Sequence, residues 1–175
     1  MTKRFYLIAV ALLIFSGADS ATPFILLQGN VTSYRMKTLE GKKISLKDYR
    51  GSPLLINFWA TWCAPCRKEF PIIKEIEKKF GKDGLVVLAV NVDDTRTISG
   101  VKSFVSAHSL NFTIPLDPNR KLFNSFHGSS LPLTLLIDAS GNVIRTYSGF
   151  LGAWEEDINR QLSELVTNAS SKKAE

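Results

Sequence analysis

The sequence has very few residues of the kinds that bind transition metals or act as strong nucleophiles. Its 175 residues include only two cysteines and two histidines. The cysteines, Cys63 and Cys66, lie close together, whereas His108 and His127 are scattered without ligand spacing. A tetrahedral zinc site usually needs four ligands, so the cysteine pair is at most half of one. We therefore predict no metal site and no cofactor.

The sequence also lacks an uninterrupted apolar run of the roughly 20 residues that a membrane-spanning helix needs. The run from Phe5 to Phe15 is shorter, follows Lys3 and Arg4, and precedes small residues at the expected cleavage positions. This pattern is typical of a secretory signal. An uncleaved membrane anchor is the alternative, because a second apolar patch covers residues 24–27.

Four segments are expected from this pattern. They are a signal peptide or anchor at 1–20, a linker at 21–33, one folded domain at 34–168, and a charged, disordered tail at 169–175. A secreted or anchored chain exposes its cysteines where disulfides persist. The predicted location is the periplasm or the outer face of the cytoplasmic membrane.

Acidic residues are fewer than basic ones. The chain has 16 Asp and Glu and 22 Lys and Arg, which gives a formal net charge of +6. Removing residues 1–20, with Lys3, Arg4 and Asp19, leaves a charge of +5. A basic balance can favour nucleic acid or anionic lipid. The lysines are spread along the chain without an aromatic-lined basic stripe, so we interpret them as solvated faces and predict no nucleic-acid binding.

Both cysteines lie where a strand is predicted to meet a helix. Residues 54–58 form an apolar run typical of a buried strand. Residues 70–80 carry apolar side chains at helical spacing, namely Phe70, Ile73, Ile76 and Phe80. A helix N-terminus offers unpaired N–H groups and the positive end of the helix dipole, which stabilise a thiolate. The pattern favours disulfide exchange, with Cys63 the more exposed cysteine.

Three simpler interpretations compete with this one. A structural disulfide between Cys63 and Cys66 would close a very small loop and so remove little chain entropy. Half of a zinc site would lack its other ligands. Two inert core thiols would leave Pro65 and Trp62 without an obvious purpose. We favour disulfide exchange.

Residues Trp62 to Cys66 resemble the active site of the thioredoxin superfamily, and residues 58–63 and 67–71 resemble its extracytoplasmic TlpA/ResA-type branch. Residues 131–138 resemble the cis-proline loop and the strand that follows it. The resemblance implies a thioredoxin-like α/β fold, in which a central mixed sheet is flanked by helices on both faces and preceded by an N-terminal β-hairpin.

The resemblance also implies a thiol–disulfide oxidoreductase that reduces partner proteins outside the cytoplasm. Oxidised apocytochrome c is the expected kind of substrate, and a membrane electron donor would restore the dithiol. An oxidase or isomerase of secreted proteins is the alternative, followed by a chaperone that delivers copper or zinc. A peroxidase is disfavoured because no separate peroxidatic cysteine exists.

Three residues are predicted to be catalytic. Cys63 is the attacking thiolate, and Cys66 resolves the mixed disulfide. Glu69 lies three residues beyond Cys66 on the same helical side, so its carboxylate could accept the Cys66 proton. The resemblance implies a glutamate here that tunes the pair. Otherwise Glu69 is an exposed residue that pairs with Lys68 or Lys74.

Four residues are predicted to bind substrate. Trp62 covers the site, while Trp59 belongs to the core. Pro65 suits the first turn of a helix and stiffens the spacing between the sulfurs. Leu131 and Pro132 form the opposite side, where the resemblance implies a cis bond that offers a backbone edge to an extended partner chain.

The remaining elements follow from periodicity and turn residues. A hairpin is expected over 34–46, a right-handed parallel strand–helix–strand unit over 54–92, a helix over 98–108 capped by Thr97 or Ser99, and a short helical segment over 117–126. Strands are expected at 133–137 and 142–147. A closing helix is expected over 154–166, with Trp154, Ile158, Leu162 and Leu165 on its apolar face.

Overall fold

A computed structural model describes residues 33–173. The predicted signal peptide and all of the predicted linker except Ser33 lie outside the described residues. Within the described part, no helix combines the length and apolar character needed to cross a bilayer.

The described residues form one mixed sheet of seven strands. The strands are β1 (Arg35–Thr38), β2 (Lys43–Ser45), β3 (Leu54–Trp59), β4 (Val86–Asn91), β5 (Pro115–Leu116), β6 (Leu133–Ile137) and β7 (Val143–Ser148). Their spatial order is β2-β1-β5-β4-β3-β6-β7. The β3–β4 and β4–β5 pairs are parallel, and the other pairs are antiparallel. The predicted α/β fold with an N-terminal hairpin is confirmed.

Within residues 33–173, four α-helices accompany the sheet: α1 (Ala64–Phe80), α2 (Val101–Ala107), α3 (Lys121–Ser125) and α4 (Glu155–Lys173). Helix α1 joins the central parallel strands β3 and β4. The four apolar side chains that periodicity assigned to its inner face are all buried. Burying a large apolar side chain contributes about 1.5–3 kcal/mol, so this face anchors the helix firmly.

Strand β3 positions the cysteine pair. All six of its residues are buried, and it pairs with β4 on one side and β6 on the other. Trp59, at its carboxyl end, is fully buried in the core as predicted, and its Nε1–H donates to the carbonyl of Ala89 at 3.1 Å. The chain therefore leaves the sheet from a rigid point four residues before Cys63.

Two expectations near the carboxyl end of the chain are wrong. Trp154 is 46% exposed, because it ends a 3₁₀ turn, Leu151–Trp154, and the α-helix begins only at Glu155. The helix also continues past Val166 to Lys173, and Ala169 is buried. The tail that was expected to begin at residue 169 is therefore helical through Lys173.

Two further differences lie between β4 and β6. Strand β5 was not predicted, because two residues show no periodicity. The helix expected over 98–108 begins with a 3₁₀ turn, Ile98–Gly100, and becomes α-helical at Val101. No side chain caps either segment, so the predicted caps at Thr97 and Ser99 are wrong. The Thr97 hydroxyl instead lies against Asp94.

Candidate active site

The cysteine pair forms a disulfide at the N-terminus of α1. Cys63 is the N-cap residue, Pro65 lies in the first turn, and the Cα atoms of Cys63 and Cys66 are 5.3 Å apart. The backbone N–H of Cys66 donates to Sγ of Cys63 at 3.3 Å. The helix terminus thus directs a donor at this sulfur, and in the dithiol state the same donor and the helix dipole favour a thiolate at Cys63.

The two cysteines differ in their access to solvent. Cys63 is 4% exposed and lines a groove of about 390 Å³, whereas Cys66 is 1% exposed and is not one of the lining residues. As predicted, Cys63 is the more exposed of the two. The groove is bounded by residues from three segments, namely Trp62, Cys63, Ala64, Pro65, Arg120, Phe123, Ser129, Ser130 and Leu131.

The groove brings together three of the four residues predicted to bind substrate. Trp62 is 55% exposed and, like Pro65 and Leu131, lines the groove. Pro132 is buried and is not a lining residue. The Leu131–Pro132 bond is cis, which is the isomer that the resemblance implied. The carbonyl of Pro132 accepts a hydrogen bond from the N–H of Gly149 at 2.9 Å. The role of these residues in binding stays a prediction.

Glu69 lies behind the disulfide and is completely buried. Its Oε2 accepts a hydrogen bond from Nδ2 of Asn57 at 3.0 Å, and its Oε1 accepts one from the backbone N–H of Leu151. An exposed glutamate that pairs with Lys68 or Lys74 is therefore the wrong interpretation. Burial raises the pKa of Glu69 to about 7, although the two hydrogen bonds favour the charged form. Proton transfer from Cys66 remains a prediction, but this carboxyl group titrates in the range such a role requires.

Asn57, on β3, connects Glu69 to Thr134 on β6, the strand that follows the cis Leu131–Pro132 bond. Its Nδ2 donates to Glu69 and also to Oγ1 of Thr134 at 2.9 Å, while its buried Oδ1 has no partner among the described residues. A half-turn of the amide would place Oδ1 where it can accept from a protonated Glu69 and from the Thr134 hydroxyl. This three-residue network can therefore accommodate both protonation states of Glu69.

Replacing Asn57 with leucine is expected to raise the pKa of Glu69 above about 7, because the amide bond favours the carboxylate. The pKa can be measured by NMR titration of the Glu69 carboxyl carbon. Thr134→Val is the matched control, since it removes a hydroxyl group from the same network and leaves the Asn57–Glu69 bond in place. An unchanged pKa in Asn57→Leu would show that the amide does not stabilise the carboxylate.

A second polar network holds the turn before Cys63, and sequence reasoning missed it. Asp93 is buried, two residues after the end of β4. Its Oδ2 accepts from the backbone N–H of Thr61 at 2.8 Å and from Nδ2 of Asn91 at 2.7 Å, and its Oδ1 accepts from the Thr61 hydroxyl at 2.6 Å. Burial opposes ionisation of Asp93, but these donors outweigh it and hold its pKa below the usual range.

The position of Asp93 in the sequence was the available signal. It follows β4, and β4 runs parallel to β3, the strand that leads to the cysteines. Functional groups in α/β proteins gather at the carboxyl ends of parallel strands. Neither histidine lines the groove. The exposed His108 stacks on Phe104 with ring centroids 4.0 Å apart.

Comparison with known proteins gives a consistent result. The AhpC/TSA family model matches residues 27–148. The thiol-disulfide oxidoreductase ResA of Bacillus cereus (strain ATCC 10987) is 34% identical over 169 residues, which cover 90% of this chain and 91% of that protein. ResA of Bacillus subtilis (strain 168) is 32% identical over 136 residues, which cover 78% and 73% of the two chains.

Solved structures with the same fold include two that share more than a quarter of their residues with this chain. One is a Chlorobium tepidum protein assigned as the thiol:disulfide interchange protein DsbE, with a TM-score of 0.71, 28% identity, and coverage of 76% of this chain and 92% of that one. The other is StoA from Bacillus subtilis, with a TM-score of 0.59, 29% identity, and coverage of 70% and 93%. The cysteine pair of this chain thus lies in a fold shared with thiol–disulfide proteins.

Proposed function

The chain belongs to the AhpC/TSA family and is a protein thiol–disulfide oxidoreductase, and from this premise we propose that it reduces disulfides in partner proteins outside the cytoplasm. The observation that carries the proposal is the placement of the two cysteines. Cys63 lines an open groove at a helix N-terminus, and the buried Cys66 lies in the first turn of that helix, three residues before the buried Glu69. This order suits an attacking sulfur followed by a resolving sulfur.

The reaction begins from the dithiol. The Cys63 thiolate attacks one sulfur of the partner disulfide, so that a mixed disulfide forms and the partner's other sulfur leaves as a thiolate. Cys66 then loses its proton to Glu69 and attacks Sγ of Cys63. The Cys63–Cys66 bond forms, the mixed disulfide breaks, and the partner leaves as a dithiol after taking up protons. Two electrons pass to the partner, and a separate donor must return two electrons to the enzyme.

Three finer assignments belong to the same proposal. The direction is reduction, because uncharged Ala64 and Pro65 leave the helix terminus as the main stabiliser of the thiolate, unlike a strong oxidant that holds its thiolate more tightly. The substrate is an oxidised protein with a CxxC pair, such as apocytochrome c, and the donor is a membrane protein. The site faces the periplasm, as the signal predicted at residues 1–20 indicates.

A trapping experiment tests the proposal. Cys66→Ala leaves Cys63 able to attack but unable to be resolved, so it should accumulate mixed disulfides with its natural substrates in the periplasm. The double variant Cys63→Ala/Cys66→Ala is the control, because it lacks both sulfurs. Recovery of the same proteins with the control would contradict an exchange mechanism.

The reduction potential tests the direction. We expect a value near the roughly −270 mV of thioredoxin. A value near the roughly −120 mV of a strong oxidant would instead support the oxidase alternative. The metal-delivering alternative makes a different prediction: copper or zinc would bind stoichiometrically to the dithiol protein, and Cys63→Ser would abolish that binding.

A further inference from the structure

Of the described residues that line the groove beside Cys63, one is charged, namely Arg120. Its other lining residues are apolar or hydroxyl-bearing, apart from the disulfide-bonded Cys63 itself. A single charge on the wall of an otherwise uncharged groove has a strong effect on which segment binds there, because opposite charges attract a ligand and like charges exclude it.

Arg120 is held at this place by its backbone. It adopts a left-handed conformation with φ of 53° at the N-terminal boundary of α3, and its N–H donates to the carbonyl of Asp117 at 2.9 Å. This conformation is uncommon for a residue other than glycine. The guanidinium carbon lies 5.7 Å from the centroid of the Trp62 ring. The charge is therefore positioned over the aromatic residue that precedes Cys63.

The guanidinium group has no carboxylate partner in the described part of the chain. The ion pairs of residues 33–173 are Glu75–Lys78, Asp94–Arg96 and Asp157–Arg160. The nearest carboxyl group in the sequence, that of Asp117, is buried, and its Oδ2 accepts from the backbone N–H of Phe123 at 2.9 Å. A guanidinium in cation–π contact with a ring still has its N–H groups available to donate to a carboxylate.

Other charged side chains close to the groove in sequence are not among its lining residues. Arg67 and Lys68 are exposed in the first turns of α1, and Lys121 is exposed next to Arg120. Arg67 also contacts the carbonyl of Thr61 through Nη1 at 3.4 Å, which keeps it near the turn that carries Trp62. Asp93 accepts from the backbone N–H of Thr61 on the same turn, and its lowered pKa keeps it ionised, so a negative charge lies there too. Among the described residues, Arg120 is therefore the one charged residue on the wall of the groove.

We propose that this groove selects protein substrates whose disulfide is flanked by acidic residues, and that Arg120 is the specificity-determining residue. A carboxylate beside the target disulfide would bind the guanidinium edge, while an apolar neighbour packs on Trp62. The partner disulfide would then lie over Cys63. This inference rests on the proposed function, because it concerns the substrate of the same cysteine pair.

Two model substrates test the inference directly. Both are peptides with one intramolecular disulfide and the same central sequence, but one carries aspartates on either side of the cysteines and the other carries lysines. The measured quantity is the second-order rate constant for reduction of each peptide by the dithiol form of the protein. We expect the acidic peptide to react about tenfold faster at low ionic strength, a ratio within the range of electrostatic steering, and the ratio to approach one at 1 M salt.

Substitutions at Arg120 give the decisive comparison. Asparagine and aspartate tolerate the left-handed backbone better than most residues, so Arg120→Asn removes the charge and Arg120→Asp reverses it with little change in backbone strain. We expect the preference to vanish in Arg120→Asn, to invert in Arg120→Asp and to persist in Arg120→Lys. Arg50→Asp is the matched control. Arg50 precedes the amino end of β3, whereas Cys63 follows the carboxyl end, and Arg50 contacts the carbonyl of Ser140.

The outcomes separate the inference from the function on which it rests. Reduction of both peptides at equal rates, unaffected by Arg120→Asp, would overturn the inference and leave the proposed function intact. Reduction of neither peptide would count against the proposed function. Alkylation of the dithiol by the neutral probe iodoacetamide supplies a last check. If an Arg120 substitution changes the alkylation rate as much as it changes the rate with the acidic peptide, Arg120 acts on the thiolate and not on the substrate.

Discussion

Cys63→Ser is expected to lower the rate of protein disulfide reduction to that of the uncatalysed reaction. The nucleophile in disulfide exchange is a thiolate, and a serine hydroxyl does not ionise near neutral pH. Cys63 is the one cysteine that lines the groove, so the remaining Cys66 cannot replace it. Reduction of insulin by the dithiol protein, followed as precipitation of the freed chains, measures the loss.

The loss should not reflect unfolding. Serine is among the preferred N-cap residues, so Ser in place of Cys63 can still accept the hydrogen bond from the N–H of Cys66 at the start of α1. Urea unfolding of Cys63→Ser should therefore match that of the wild-type dithiol form closely. Iodoacetamide should label reduced wild type and Cys66→Ala rapidly, but Cys63→Ser slowly, because Cys66 is buried. Substantial insulin reduction by Cys63→Ser would disprove the assigned roles.

The parts of the fold that the sequence predicts well are those set by local pattern. Strand β3 and helix α1 are continuous, strongly patterned segments, and their junction places both cysteines at a helix N-terminus whatever the rest of the chain does. The three-residue spacing from Cys66 to Glu69 likewise follows from helical geometry. These local rules identify the reacting sulfurs and the carboxyl group nearest to them along the helix.

The surroundings of the site depend on contacts that are distant in sequence. The backbone N–H that donates to Glu69 belongs to Leu151, 82 residues away. The hydroxyl that accepts from Asn57 belongs to Thr134, 77 residues away. Periodicity within one element contains no information about such pairs. The complete burial of Glu69, and with it the raised pKa, therefore needed the structure.

Arg120 shows the same limit at the level of a single residue. Asn119 precedes it, and asparagine adopts the left-handed conformation more readily than most residues other than glycine, yet the positive φ falls on Arg120. Trp154 shows the same limit at a helix boundary. Its four-residue spacing from Ile158 fits an apolar helix face, but the helix begins at Glu155, one residue after Trp154. In both places the tertiary packing of a short turn sets the local backbone conformation, which sequence pattern does not predict.

Glu69→Gln is expected to raise the free energy of unfolding of the disulfide form by about 3 kcal/mol at pH 8 and to leave it nearly unchanged near pH 4.5. The pKa of Glu69 rises from 4.5 to about 7 in the folded chain. Between these values the folded state binds more protons than the unfolded state, so the stability of the wild type falls as pH rises. Each pKa unit corresponds to 1.36 kcal/mol, which gives the size of the effect.

Glutamine is uncharged throughout this range and can keep the polar contacts. Its oxygen can accept from the N–H of Leu151, and its NH₂ group can donate to Oδ1 of Asn57 once that amide turns. Urea unfolding of the disulfide form at several pH values should therefore show a gap between Glu69→Gln and wild type that opens between pH 4.5 and 7. Glu77→Gln, an exposed position on the same helix, is the control and should show no such gap.

The same substitution should alter catalysis in a matching pH range. If Glu69 accepts the Cys66 proton, resolution of the mixed disulfide is promoted above pH 7, where the carboxylate is ionised, and Glu69→Gln removes that inflection from the pH profile of disulfide reduction. The two measurements together discriminate between roles, because a buried glutamate with no part in catalysis would still produce the stability gap. A stability gap with an unchanged pH profile would show that Glu69 titrates in the folded chain without taking the proton.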